Sequence, residues 1–288
     1  MTMHTARIFC RIVALSLVLV GSAWADTDAA ARRLFAQLAQ ARLQVPVSAA
    51  TARVTPTLVN HLYALADTQG RALGYFNEAG TLWLDARGAQ ALEGKGARAL
   101  NAEEVVALRV ELMAQLRLDA LVKLVYGNGG GRRVLMFSAL DCPYCRRFED
   151  TLSFVGDELN TTFYIVPSSL LPIADGGLAT WQKVARIWCA ENGGNAWQGF
   201  WSQGSIPSAR SCEFADPQVA EKTNQQVREI LRAVGVRISA VPQFVREDGV
   251  ALRVGAKMEL SDLETLFGAK GRPALSERVG RWLVGSKD

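Results

Sequence analysis

Cys142-Pro143-Tyr144-Cys145 constrains this chain more than any other feature. The motif follows an apolar run, Val134-Leu135-Met136-Phe137-Ser138, which reads as a buried strand. Phe148, Leu152 and Val155 then recur on one face of a helix. Strand, C-x-x-C and helix, in that order, place the first thiol at the positive end of a helix dipole, where a thiolate is favoured. That thiol is expected to be exposed. The second lies one turn deeper, close enough to close a ring or resolve a mixed disulfide. Pro143 suits the first helical turn, where no amide donor is missed. This is the geometry of thiol–disulfide exchange.

Residues 1–25 read as a secretory signal. Arg7 and Arg11 form the charged region, 12–20 the apolar core, and Ala23-Trp24-Ala25 a small-x-small cleavage site. The alternative, a membrane anchor, meets an apolar stretch too short to span a bilayer comfortably. Cleavage removes Cys10 and leaves four cysteines: Cys142, Cys145, Cys189 and Cys212. An even set in an exported protein suggests two pairs, although sequence alone does not assign connectivity. Two buried free thiols are the alternative for Cys189 and Cys212. Of two histidines only His61 remains, far from the motif in sequence. Cys–His proteolysis and a Cys/His zinc site therefore lack an obvious partner, and no metal is expected. Cleavage also leaves 30 basic against 28 acidic residues, a net +2. That balance argues against a nucleic-acid or membrane-surface partner.

The rest of the chain divides by pattern. Residues 26–100 read as a small α+β unit: a helix over 28–44, then short strands with turn signals over 58–66, 72–76 and 81–84. The unit carries no catalytic constellation and buries little core alone, so pairing with a second copy is expected. Asn101 and Glu104 form a variant capping box ahead of Val105, Leu108, Leu112, Met113 and Leu116. This predicts a helix over 102–117, within a linker assigned to 101–118. An ordinary core helix is the alternative. Strands are expected at 121–126, 133–138 and 161–166. Helices are expected at 178–190 and 217–234, with Asp216 capping the second. A hairpin is expected over 243–246 and 251–254, and a closing helix over 260–267. The order βαβ, helical insert, ββα is the thioredoxin pattern with an insertion at about 177–234, in a domain of 119–269. A tail of 270–288 carries Val279, Trp282 and Leu283 at helical spacing.

Several residues carry two readings at this stage. Val241-Pro242 precedes the hairpin strand; a thioredoxin fold puts a cis proline there, facing the C-x-x-C, whereas a strand-edge proline would be trans. Asp141 either moves protons or is a solvated residue at the helix entrance. Arg146 and Arg147 either stabilise the thiolate or line a solvated helix face. Trp181, Trp188, Trp197 and Trp201 read as core of the insert.

The resemblance reaches beyond the motif. The segment 186–192 (Arg-Ile-Trp-Cys-Ala-Glu-Asn), Asn195-Ala196-Trp197 and 208–212 (Ser-Ala-Arg-Ser-Cys) resemble the periplasmic disulfide isomerases DsbC and DsbG, as does Leu124-Val125-Tyr126. The match is good over about 120–268 and weak over about 50–117, through the runs 62–65 and 74–78. It implies an α+β N-terminal dimerisation domain, a linker helix and an α/β thioredoxin-like domain with a helical insert. By the same resemblance, Cys142 attacks, Cys145 resolves and Pro242 is the cis proline. Pro143, Tyr144 and Val241 contact substrate, and Cys189 and Cys212 form a structural disulfide. The resemblance implies a periplasmic homodimeric isomerase or reductase, with chaperone character, acting on misoxidised exported proteins. It would draw electrons from a DsbD-like membrane thiol reductase and need no cofactor. It would carry no membrane anchor after signal cleavage. Val241 departs from the threonine usual in DsbC and DsbG and is more typical of DsbA oxidases. A DsbA-like dithiol oxidase is therefore the nearest alternative. A redox-independent, chaperone-like binding protein is another.

Overall fold

The computed structural model describes residues 27–41, 44–128, 131–253, 259–268 and 283. The expected signal segment and nearly all of the 270–288 tail lie outside these residues.

The N-terminal unit opens with helix α1, 27–40. It buries Ala30, Leu34 and Leu38, which are spaced at i, i+4 and i+8. Six strands follow: β1 Arg53–Pro56, β2 Leu62–Ala66, β3 Ala72–Asn77, β4 Leu82–Asp85, β5 Gly88–Glu93 and β6 Gly96–Ala99. They lie in chain order as an antiparallel meander. The sequence reading predicts no strand at β1, β5 or β6. Alternation gives this sheet two apolar faces. Leu65, Phe76, Trp83 and Leu92 pack under α1. Leu62, Ala64, Tyr75, Leu82, Leu84, Ala89 and Ala91 join the main core on the other side. Both faces are thus covered within one chain.

Helix α2, Ala102–Ala114, carries the reciprocal capping box of Asn101 and Glu104. It ends three residues short of its predicted limit. There Asn60 N donates to Gln115 O and Arg117 N to Leu58 O, and Leu116 bridges Val59. These pairings use the backbone groups that another helical turn would need. Arg109 on α2 donates to the carbonyls of Val234 and Gly249, fastening the linker to the C-terminal half.

The second sheet contains β7 Val122–Val125, β8 Arg132–Ala139, β9 Thr161–Ser168, β10 Gln243–Arg246 and β11 Ala251–Arg253. Its order is β11-β10-β8-β9-β7. Only β8 and β9 are parallel, joined through helix α3, Pro143–Leu159. With α7, Leu260–Phe267, packed beside α3, this is a thioredoxin-like α/β arrangement. All residues of β9, and all but Arg133 of β8, are buried, as expected of strands covered on both faces. Phe148, Phe163, Phe244 and Phe267 interlock between sheet and helices, with centroids 4.8–6.3 Å apart. Gly156, within α3, would place a Cβ 2.4 Å from the Tyr126 ring. The roughly 1 kcal/mol that glycine costs in a helix is accepted there for a close contact.

The insert is three helices: α4 Leu178–Trp188, α5 Gly193–Gln203 and α6 Pro217–Ala233. Asp216 caps α6 through Gln218 N, as its position predicts. Helix α5 was not expected as a helix. Helices α4 and α6 pack on β9, and α6 also reaches β4 and β5 of the N-terminal sheet.

Candidate active site

Strand β8 runs into the motif, and Cys142 is the N-cap of α3, with φ −94° and ψ 120°. Its sulfur accepts from Cys145 N at 3.4 Å, as a capping oxygen would. Pro143 occupies the first turn. Tyr144 is 57% exposed, and the Arg147 guanidinium lies 5.6 Å from its ring centroid. Both thiols are free.

Cys142 is not open to solvent as predicted; the residue is only 4% exposed. The cause is the loop before β10, which lies over it. The Cys142 thiol donates to the Val241 carbonyl at 3.4 Å. The Val241–Pro242 bond is cis. A chain segment 99 residues away therefore covers the sulfur with a backbone acceptor.

Cys145 is fully buried. Burial pushes its thiol up to about 12, against the opposing effects of the Ser138 hydroxyl and the Ala139 amide; the adjacent Cys142 raises it further. Ala139 N donates to the Cys145 sulfur at 3.4 Å. Ser138 Oγ is buried and forms no hydrogen bond of ordinary geometry. The hydroxyl nonetheless acts on Cys145, in the direction that favours an anionic sulfur.

Asp141 is neither a free acid nor simply solvated. It accepts from Ser169 Oγ and from Leu170 N, both at 2.8 Å, and holds the loop after β9. Arg146 donates to Trp201 O and lies 5.2 Å from the Trp201 ring, so it faces the insert. A groove of about 330 Å³ lies between Val241, Leu170, Trp181, Asn224 and Arg228, reaching the motif through Val241, whose carbonyl accepts from Cys142. Leu170 and Leu171 are each 51% exposed near its mouth.

The four insert tryptophans are buried, and three of them place the indole N–H on an acceptor. Trp181 bonds Leu171 O, Trp188 bonds Ala120 O, and Trp197 bonds Glu149 Oε1 at 2.9 Å. Among the described residues Trp201 Nε1 has no partner. Glu149 is buried on α3, one turn beyond Cys145. Burial pushes its carboxyl up to about 8, although the Trp197 bond opposes this. Sequence reading did not mark Glu149, because a glutamate on a helix next to Asp150 looks solvated.

Cys189 and Cys212 are disulfide-bonded, with Cα atoms 5.6 Å apart, and tie the end of α4 to the loop before α6. The stacked Trp188 and Phe214 rings, 4.3 Å apart, lie alongside. His61 is paired with Glu78 in the N-terminal unit. Among the described residues there is no cluster of three metal-ligating side chains and no helix long and apolar enough to cross a membrane.

No family model and no curated protein matches the chain. Solved structures similar to it include a disulfide interchange protein from Neisseria gonorrhoeae, 29% identical over 44% of this chain and 80% of that one, with a TM-score of 0.32. Proteus mirabilis ScsC in a transitional conformation is 20% identical over 58% of this chain and 79% of the other, at a TM-score of 0.39. Helicobacter pylori DsbG is 12% identical over 68% and 93% respectively, at 0.35. At TM-scores this low, what the site can do rests on its own geometry.

Proposed function

We propose that this chain is an exported thiol–disulfide exchange enzyme that isomerises or reduces wrong disulfides in other proteins. One observation carries the reading. Cys142 caps a helix, has Cys145 one turn inside, and lies under the Val241 carbonyl. The Cys142 thiolate attacks one sulfur of a substrate disulfide, whose other sulfur leaves as a thiolate and takes up a proton. A second substrate thiolate can then attack the mixed disulfide, returning Cys142 and completing an isomerisation. Alternatively Cys145 attacks Cys142, releases the reduced substrate and leaves a Cys142–Cys145 disulfide. That outcome calls for electrons from a membrane thiol reductase of the DsbD type. The exposed Tyr144, Leu170 and Leu171 supply an apolar rim for an unfolded substrate segment.

A periplasmic location and the signal segment belong to this reading. So does a homodimer formed through residues 26–100. Because α1 and the main core cover the two faces of that sheet, the surfaces left for a second copy are its edges, β1 and β6. Light scattering on the mature chain, with and without 26–100, tests this; a full-length monomer at micromolar concentration would overturn it.

The decisive experiment is reactivation of a scrambled multi-disulfide substrate. Cys142→Ser should abolish it, and Cys145→Ser should trap a covalent complex with substrate. Full activity without Cys142 would favour a redox-independent binding protein instead. Val241 supports a second reading, a dithiol oxidase, since it sets an apolar side chain beside the sulfurs. If so, Val241→Thr lowers the reduction potential in a glutathione titration and raises isomerase activity.

A further inference from the structure

The exchange reaction needs Cys145 as a thiolate, yet Cys145 is wholly buried. An ionised sulfur there must be solvated by the protein or not at all. Its surroundings contain three groups of the right sign. The Ala139 amide already donates to the sulfur at 3.4 Å. The Ser138 hydroxyl is buried beside it with no formed hydrogen bond. The third is Arg228 on α6.

Arg228 is an unusual cation. Its guanidinium lies 5.3 Å from the Phe137 ring centroid, next to Ser138 in the strand. Its Nε donates to Asn224 Oδ1 at 2.7 Å and its Nη1 to Ile238 O at 3.4 Å. Among the described residues no carboxylate pairs with it. The carboxylates nearby on α6 are engaged elsewhere: Glu221 accepts from Ile173 N, and Glu229 from Tyr75. Burial disfavours the Arg228 charge, and an anionic Cys145 favours it. Arg228 is part-buried and lines the groove, and a cation partly withdrawn from water with no anion beside it carries a cost. That cost is offset in the state where Cys145 carries a negative charge.

We propose that Ser138, the Ala139 amide and Arg228 form a thiolate-stabilising pocket for Cys145, in which Ser138 is a catalytic donor and Arg228 a positioning residue that supplies the charge. This rests on the exchange reading above and assigns the second half of that reaction. In the step concerned, Cys142 is joined to a substrate sulfur. Cys145 loses its proton to solvent, and its sulfur bonds to Cys142 as the Cys142–substrate bond breaks. The leaving substrate thiolate takes up a proton. Two electrons pass from the cysteine pair to the substrate. The Ser138 hydroxyl donates only while Cys145 is an anion, so it lowers the barrier without stabilising the resting thiol.

The test uses a symmetric aryl disulfide, 5,5′-dithiobis(2-nitrobenzoate), on the reduced full-length mature protein in stopped flow. Attack by Cys142 releases the first coloured thiolate, and attack by Cys145 releases the second. Ser138→Ala should leave the first phase unchanged and slow the second about tenfold, as a hydrogen bond to an anion is lost. The same variant should be as stable as the parent or more so, because the deleted hydroxyl has no partner in the resting fold. Arg228→Met should slow the second phase, and Arg228→Lys should restore most of it. An unchanged second phase in Ser138→Ala overturns the proposal, and equal losses in the Lys and Met variants overturn the part given to Arg228. Absence of the first phase in the parent protein would instead defeat the exchange reading itself.

Discussion

Tyr75 on β3 donates a 2.5 Å hydrogen bond to Glu229 on α6, the residue after Arg228. Burial, and then the Glu229 carboxylate, hold the phenol well above its usual ionisation, so it remains a donor throughout the working pH range. One helix therefore meets the N-terminal sheet at one residue and the buried side of the motif at the next.

Removing the phenol takes away the bond that the buried Tyr75 side chain makes to the half-buried Glu229, and among the described residues leaves the carboxylate bonded to Gln225. Tyr75→Phe should destabilise the protein by about 1.5–3 kcal/mol, the range for a hydrogen bond to a charged group. Urea midpoints of the two proteins measure this. An unchanged midpoint would show that the contact does not help to dock the two halves.

Brief alkylation of the reduced protein near neutral pH should label Cys142 and spare Cys145. Cys145 is fully buried, with its thiol pushed up to about 12. Cys142 forms the N-cap of α3, at the outer end of the motif, with the exposed Tyr144 two residues on. Peptide mapping reads the outcome, and dominant labelling of Cys145 would reverse the two roles.

Glu149 should make stability depend on pH. Its carboxyl rises from an ordinary 4.5 to about 8 on folding, chiefly through burial. Below about 4.5 it is protonated in both states and adds no penalty. As pH climbs toward 8 the unfolded chain releases the proton while the folded chain keeps it, so stability falls. At about 1.4 kcal/mol per pH unit the loss amounts to a few kcal/mol. Glu149→Gln keeps the shape and an acceptor for Trp197 but removes the titration. Between pH 5 and 8.5 its urea midpoint should therefore rise relative to the parent's. Parallel pH profiles for the two proteins would contradict this.

The Cys189–Cys212 bridge closes a loop across 23 residues of sequence. In the loop-entropy model that restriction of the unfolded chain is worth about 3 kcal/mol. Replacing both cysteines with serine should lower stability by roughly that amount and leave alkylation of Cys142 unaffected. Calorimetry together with the labelling assay tests both halves. A slowed reaction at Cys142 would mean that the bridge also shapes the motif.

What was legible in the sequence follows the range of each interaction. Pro143 in the first turn of α3, the Asn101–Glu104 capping box and the Asp216 cap are local, and residues three or four apart announce them. Helix α5 was missed because Gly193, Gly194 and Gly199 dilute its pattern, although the Asn192 side chain caps it through Asn195 N. Strands β5 and β6 were missed because glycine and alanine predominate where β-branched and aromatic residues usually signal a strand. The burial of Cys142 under Val241, and the approach of Arg228 to the motif, join segments some hundred positions apart. No spacing rule reaches that far.

Asp141 has a wider consequence. Its carboxylate fixes the position just before Cys142 to Ser169 and Leu170, where the chain leaves β9 for the insert, and Ser168 Oγ bonds Ser138 O just behind. The three-helix segment is thus grafted at a point already clamped to the frame that holds the sulfur. Exchanging that segment for one of another shape would change what the sulfur meets and leave its frame in place. In a chain built this way, the segment that shapes the surface around the sulfur also carries Arg228 to the buried side of the motif, so the two environments change together.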